Sequence, residues 1–469
     1  MFEETGTAIG LGTRPESSVA LWTGRPDGCY SSGMGPCLVA VQFVTNRRRI
    51  SLALVALALL VPEAHGQDPA AAFGKALSLA QARQLALERN GDFRSAQFQV
   101  DAAIGQLKVA REVPNPTLGL STAKISTDGV PEGTTLGNGL LSRAYDSIVS
   151  LSELIQVSKR GLLRDSANAG VHVAEFQLDD ARRLLLQGVT QAYVAALLAK
   201  EQAKVLSLSA AALRHEADVA AHRFQAGDLS KADQSRIEIA AEQDELNAAS
   251  QEAAEKAAVV ALEALIGEPK ANGGTVLTDS LEALAGPPAA DADEATVLKR
   301  PDIAAAEAAV KQAELNLALA RHQRIPDVTV SVQYERNPPA QPDTVGVGVS
   351  LPLPVVNQYS GEIQGALAAK NQAQARLEKV RVQATADVAT ARVAYQEAAA
   401  RLEKYRKSLL PRSAEVTRSV AYAYEKGGAA LIDLLDAQRS DNDIRLADVQ
   451  AEADTAAALS ALLAALGRL

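Results

Sequence analysis

Phe224, Gly227 and Asp233 recur as Tyr424, Gly427 and Asp433, each 200 residues further along the chain. At the same distance, Ser150, Leu151 and Gly161 recur as Ser350, Leu351 and Gly361. Earlier the offset is 210, since Asp92 matches Asp302 and Pro116 matches Pro326, so the first copy carries ten extra residues between about 120 and 150. Such a chain is two copies of one unit, 77–270 and 292–467. The copies are joined across 271–291, where the stretches ANGGTV and AGPPAADADE read as loop or linker.

Each unit opens on a helix. In the first, Ser78 with Gln81 makes a capping box, and the helix is expected to run to Glu112, before Pro114 and Pro116. In the second, ATVLKRPDIAAAEAAVKQAELNLALARHQR runs to Arg324 and Pro326 ends it. The period then changes from helix to strand. DVTVSVQYE places Val328, Val330, Val332 and Tyr334 on one face and Asp327, Thr329, Ser331, Gln333 and Glu335 on the other. TVGVGVSLPL does the same with Val345, Val347, Val349 and Leu351, after the turn NPPAQPD. TLGLSTAKI and SIVSLSEL are weaker versions in the first unit, separated by a Gly-rich loop, Thr127 to Ala144.

Strands of about nine to eleven residues with one apolar and one polar face suit a membrane barrel. Four of them cannot close one, and an open edge does not persist in lipid, so an oligomer has to supply the rest. From Gly161 to Gly227, and from Gly361 to Gly427, a helical pattern runs 66 residues, roughly 100 Å at about 1.5 Å per residue. Helices of that length pack against neighbours along their whole extent, and the alanine-rich composition, with only 4% aromatic residues, suits close packing through small side chains.

The N-terminal region reads separately. Arg47, Arg48 and Arg49, the apolar run ISLALVALALLV and the small residues around Gly66 form a secretory signal peptide over 47–66, cleaved near Gly66. Residues 1–46 are read as a non-native or disordered leader from an upstream start codon. Cys29 and Cys37 are the chain's two cysteines, so the mature chain is expected to have no disulfide, thiolate metal site, catalytic cysteine or lipidated N-terminal cysteine. The formal charge of -9 on an exported chain argues against nucleic acid as a partner. His215 and His222 stand seven apart, too far for a helical metal pair, and with His172 and His322 they read as surface or packing residues. The sequence contains no phosphate loop, nucleophile elbow or HExxH, so neither an enzyme nor a cofactor is expected.

LSLAQARQLALERNGDF, PNPTLGLS, LSELIQVSKRGLL, RPDIAAAEAAV, GVGVSLPLPVVNQYSGEI and YEKGGAALIDLLDAQR, in this duplicated order, resemble the outer-membrane efflux channels of the TolC family. The resemblance covers about 77–467, and NPTLGLS followed by the KRG segment looks most like the CzcC-like branch that serves metal-cation exporters. It implies a fold that is mainly α with a membrane β part: a homotrimer whose twelve-stranded barrel, four strands per protomer, continues as a tunnel of long helices. It also implies a passive duct in the outer membrane of a Gram-negative bacterium. That duct would be coupled to a periplasmic adaptor and an inner-membrane pump of RND type.

Gly227 and Gly427 would then mark helix turns at the periplasmic tip, with Arg223, Phe224, Ser230 and Gly428 beside them as adaptor contacts. Asp433 and Asp436 match acidic gate positions. Their i, i+3 spacing puts both on one helical face, so a trimer would converge six carboxylates into a cation-attracting constriction. Asp233 and Tyr424 match the partners of a polar latch, and Ala429 stands where some members carry an arginine of the closing ion-pair network. Two other readings compete: a periplasmic adaptor, which would normally show one hairpin flanked by small β domains, and a coiled-coil scaffold without a pore.

Overall fold

The structure, a computed structural model, describes residues 76–123, 146–287, 297–336 and 343–468. The leader, the signal peptide, the loop Thr127 to Ala144 and most of NPPAQPD lie outside the described residues.

The opening helix is two helices, α1 (Leu79–Arg89) and α2 (Gly91–Arg111). The expected capping box at Ser78 and Gln81 forms, but Asn90 is extended and interrupts the run. The Asn90 side chain caps α2 by accepting from the Phe93 N–H at 3.0 Å. Its amide also donates to the Leu265 carbonyl at 2.9 Å. An asparagine that can satisfy two backbone groups outside a continuous helix competes effectively with one inside it. In the second unit α6 (Pro301–His322) restarts at the matching place. Arg300 precedes a proline and is extended (φ -59°, ψ 141°), and its Nη1 donates to the Ala465 carbonyl.

Four strands follow the two opening helices, β1 (Thr117–Ala123), β2 (Asp146–Ile155), β3 (Val328–Arg336) and β4 (Thr344–Ser350). They form one antiparallel sheet in the order β1-β2-β3-β4. Cross-strand register aligns Leu118, Leu151, Val332 and Val347 in one row and Leu120, Val149, Tyr334 and Val345 in the next. All eight are exposed. The opposite face carries Gly119, Ser150, Gln333 and Gly346 in one row. β4 ends at Ser350, so Leu351 falls outside the strand where alternation had placed it: Pro352 and Pro354 cannot donate to a ladder.

α3 (Lys159–Ala226) is one unbroken helix of 68 residues, and α4 (Lys231–Ile266) returns along it. Both strand-to-helix junctions are strained, with Ser158 at φ 127° and Tyr359 at φ 56°. The second long helix is not continuous as the pattern predicted. It comprises α7 (Ser360–Lys404), a π-helical turn (Tyr405–Leu409) and α8 (Leu410–Glu425), before α9 (Leu431–Ala465) returns. Pro411 supplies the reason, because its ring excludes the carbonyl four residues back and it has no N–H to give. The chain widens by one residue there, and the Leu410 N–H bonds to the Tyr405 carbonyl five residues back.

The main core joins the opening helix to the middle of the first hairpin. Leu77, Leu79, Ala82 and Ala86 pack on Val189, Tyr193, Leu197, Leu262 and Ile266. The ANGGTV segment is part of this packing rather than a free linker. Leu77 and Leu277 form a parallel bridge, and a four-residue helix, α5 (Leu281–Leu284), follows. Glu263, 1% exposed, holds the segment in place. Its carboxylate accepts from the Asn272, Gly273 and Thr275 N–H groups at 2.7, 2.9 and 3.3 Å, and from the Thr275 hydroxyl at 2.6 Å. Burial alone pushes this carboxyl up, but those donors together hold it below its ordinary value.

A carboxyl depressed in the folded state stabilises the fold above its unfolded value, and that contribution disappears as pH falls through the folded value. Glu263→Gln is expected to cost roughly 2 kcal/mol at neutral pH. Thermal unfolding of detergent-solubilised protein checks this, and the gap to wild type should close as the pH is lowered well below 4.

Candidate functional site

The two helical hairpins turn at equivalent places and by the same device. Gly227 is left-handed at φ 86° and Gly427 at φ 75°. In the first turn the Gly227 N–H bonds to the Phe224 carbonyl and the Asp228 N–H to the Arg223 carbonyl, at 3.0 and 2.9 Å. The second turn repeats this pair, Gly427 to Tyr424 and Gly428 to Ala423, at 3.1 and 2.7 Å. These are the paired bonds that satisfy the last carbonyls of a helix. A Cβ at either left-handed glycine would meet nothing within 4 Å, so φ alone demands glycine there.

Beyond the turns the two copies diverge. Ser230 caps α4, its hydroxyl accepting from the Asp233 N–H at 3.1 Å and donating to the Asp233 carboxylate at 2.7 Å. Asp233 is also paired with Arg236 at 3.5 Å. In the second copy Ala430 has no side chain able to cap, and the Asp433 carboxylate takes over by accepting from the Ala430 N–H at 3.0 Å. Asp433 and Asp436 are both exposed near the start of α9.

Aromatic residues tie the tips together. The Arg223 guanidinium stands 5.9 Å from the Tyr424 ring centre, linking α3 to α8, and the Lys231 ammonium stands 5.2 Å from the Phe224 ring. Tyr424 packs on a small core of Leu213, Ala217, Ala220, Ile237 and Leu431. Within the protomer, therefore, Tyr424 is brought to Arg223, while the hydrogen bonds of Asp233 go to Ser230 and Arg236.

Sequence reasoning missed the polar contacts that join the hairpins behind the tip. Gln438 donates to Glu216 at 2.5 Å, and Asn442 donates to Ser209, which in turn donates to Asp244 at 2.7 Å. Within the second hairpin, Ser413 donates to Asp441 at 2.6 Å in a buried site. Burial pushes the Glu216 carboxyl up, while the Gln438 hydrogen bond and the nearby His215 pull it down. A signal was present: Glu216 lies between Leu213 and Ala220, at i-3 and i+4, a charged residue on an apolar stripe. Among the described residues no group of three or more His, Cys, Asp or Glu could hold a metal ion, and no helix is long and apolar enough to cross a membrane.

Comparison with known proteins places this architecture. The family model for outer membrane efflux protein matches residues 82–268 and 294–468. The chain is 24% identical to the cobalt-zinc-cadmium resistance protein CzcC of Cupriavidus metallidurans, over 78% of this chain and 84% of that one. It is 26% identical to the pyoverdine export outer membrane protein OpmQ of Pseudomonas aeruginosa, over 70% of this chain and 65% of that one. Its fold matches the crystal structure of the outer membrane protein VceC from Vibrio cholerae with a TM-score of 0.66 and 19% identity, covering 83% of this chain and 96% of that one. The family match, spread over both copies of the repeat, sets aside the adaptor and scaffold readings. The chain belongs to the outer membrane efflux protein (TolC) family: it is a non-enzymatic outer-membrane channel of tripartite efflux systems, with a helical extension into the periplasm.

Proposed function

We propose that three copies assemble into a passive export duct whose strands close a twelve-stranded barrel and whose hairpin tips form a gate. The observation that carries this reading is the sheet itself. It has four strands, a face of exposed apolar rows and two edges, β1 and β4, each paired on one side only. In hydrocarbon an unpaired edge costs several kcal/mol per group, and further copies of the same sheet are the simplest source of partners.

The gate reading rests on Asp433 and Asp436, exposed on one helical face just beyond the second turn. Around a three-fold axis they would present six carboxylates and attract cations. Asp233 and Tyr424 belong to the latch in this reading, with the latch contact made as the tips of the assembled trimer converge. The turns, with Arg223, Phe224, Gly227, Ser230, Gly427 and Gly428, form the surface offered to a periplasmic adaptor, which joins the duct to an inner-membrane pump of RND type. Docking opens the gate only in so far as the adaptor binds the open tip better than the closed one. Heavy-metal cations are the proposed cargo, supported by the likeness to a cobalt-zinc-cadmium resistance protein and by an acidic constriction that would favour cations.

Single-channel recording in planar bilayers tests the duct and its gate. Wild-type protein should give cation-selective openings, and replacing Asp433 and Asp436 together by alanine should lower cation selectivity several-fold. Absence of conductance in both would sink the reading. A charge on the apolar rows checks the orientation of the sheet: Val347→Arg should cost about 2–4 kcal/mol of barrel stability, whereas Gln333→Arg on the opposite face should be tolerated. The fraction of heat-modifiable folded protein in outer membranes reports both.

A further inference from the structure

Six buried side-chain oxygens lack a hydrogen-bond partner among the described residues, and two of them belong to one contacting pair. Glu216, on α3 of the first hairpin, accepts through Oε1 from the amide of Gln438, on α9 of the second, at 2.5 Å. Its other oxygen, Oε2, has no donor, and neither has Gln438 Oε1. Two side chains already joined thus bring two acceptors to a buried place with nothing to accept. One added hydrogen removes both deficits.

Charged groups on the helices packed around this pair are engaged elsewhere. On α3, Arg214 is paired with Glu245 of α4 at 2.5 Å, with Asp218 and Glu242 nearby. Asp244 of α4 accepts from Ser209. On α9, Asp441 accepts from Ser413 and Arg445, and Arg439 is exposed. α8 meets this part of α9 through Thr417, a neutral side chain that donates to the Ala437 carbonyl. His215, exposed and next to Glu216, is the titratable group whose charge bears on it. Leu213 and Ala217, on the same stretch of α3, belong to the apolar cluster that includes Leu431 and Leu435 of α9. Burial pushes the Glu216 carboxyl up by more than Gln438 and His215 pull it down.

We propose that Glu216 is held as a neutral carboxylic acid whose Oε2–H donates to Gln438 Oε1, so that a single proton closes a two-bond ring between the hairpins. The proton is taken from solvent when α3 and α9 join. It returns to solvent when they part, because a hydrated Glu216 ionises as an ordinary carboxyl. A carboxyl raised in the joined state favours joining at low pH, and that support is lost as pH rises through the joined-state value. Above it, an ionised Oε2 faces the lone pairs of Gln438 Oε1 without water to separate them. Gln438 lies two residues beyond Asp436 on α9, so the ring ties the helix that carries the gate carboxylates to α3. The pair is a proton-operated clasp: acid fastens the second hairpin to the first, and alkali frees it. Its effect on conduction rests on the gate reading.

Infrared spectroscopy of detergent-solubilised full-length protein tests the proton site. The Glu216→Gln side chain can donate and accept as the neutral acid does, so the variant keeps both bonds and loses only the titration. Wild type minus this variant, at about pH 6.5 where ordinary carboxyls are ionised, should show a protonated-carboxyl band that bleaches as the pH is raised. Asp448 and Glu452, which burial also pushes up, cancel in the difference. Planar bilayers read the consequence, in a background of Asp433→Ala with Asp436→Ala so that the gate carboxylates do not titrate. Opening frequency should rise at least several-fold from about pH 5 to about pH 8 when Glu216 is present, and should not change with pH after Glu216→Gln. A difference spectrum without the band overturns the proton site. The band together with an equal pH dependence in both proteins overturns the clasp's hold on the tip and leaves the gate standing. Protein that never conducts overturns the gate reading, and the infrared band still decides the proton site.

Discussion

Backbone hydrogen bonding at the two open strand edges is the constraint from which the other features follow. A four-stranded antiparallel sheet satisfies its inner strands completely and its outer strands on one side only. With Leu118, Leu120, Val345 and Val347 exposed on one face, the sheet is matched to hydrocarbon, where water cannot complete those edges. The helices answer to the same demand. α3 and α7 leave the sheet through Ser158 and Tyr359, whose positive φ values place strain at both junctions.

Duplication supplies the framework, and its departures supply the differences in behaviour. Equivalent glycines end both outgoing helices, and equivalent side chains, Asn90 and Arg300, reach equivalent carbonyls at Leu265 and Ala465. Arg300 is 4% exposed and is also paired with Asp302 and Asp387 at 2.6 and 3.2 Å, so a buried cation is matched by two carboxylates where the first copy needs only a neutral amide. Ser230 against Ala430 is a second departure, leaving Asp433 to cap its own helix. The first copy is followed by the strap that Glu263 holds.

Much of the fold was legible because the signals were periodic and came twice. Alternation located all four strands, and Gly227 and Gly427 fixed both turns. What was not legible depended on single side chains in three dimensions. Asn90 looks like an ordinary helix residue until the Leu265 carbonyl is in reach. Pro411 was visible, but in a run of good helix formers its cost was absorbed by a local change of hydrogen-bond pattern, which periodicity does not encode. Leu351 continued the alternation past the point where Pro352 stopped the strand. At the tip, spacing put Asp433 and Asp436 on one face, but nothing in one dimension showed that Tyr424 would face Arg223, or that Glu216 would be covered by Gln438.

The π turn at Tyr405–Leu409 makes the two hairpins mechanically unequal. α3 carries an unbroken ladder from Lys159 to Ala226, so a load applied at its tip is transmitted along the whole rod. The helix leading to Gly427 contains one turn of wider, poorer hydrogen bonds, flanked by a proline that cannot restore the regular pattern. In the second hairpin the weaker hydrogen bonds therefore lie at the joint between α7 and α8, where the unbroken α9 runs alongside and Glu452 is paired with Arg406 at 2.5 Å. The outgoing helix of the first hairpin is thus a single ladder and that of the second a spliced one, braced by the continuous α9 that carries Asp433 and Asp436.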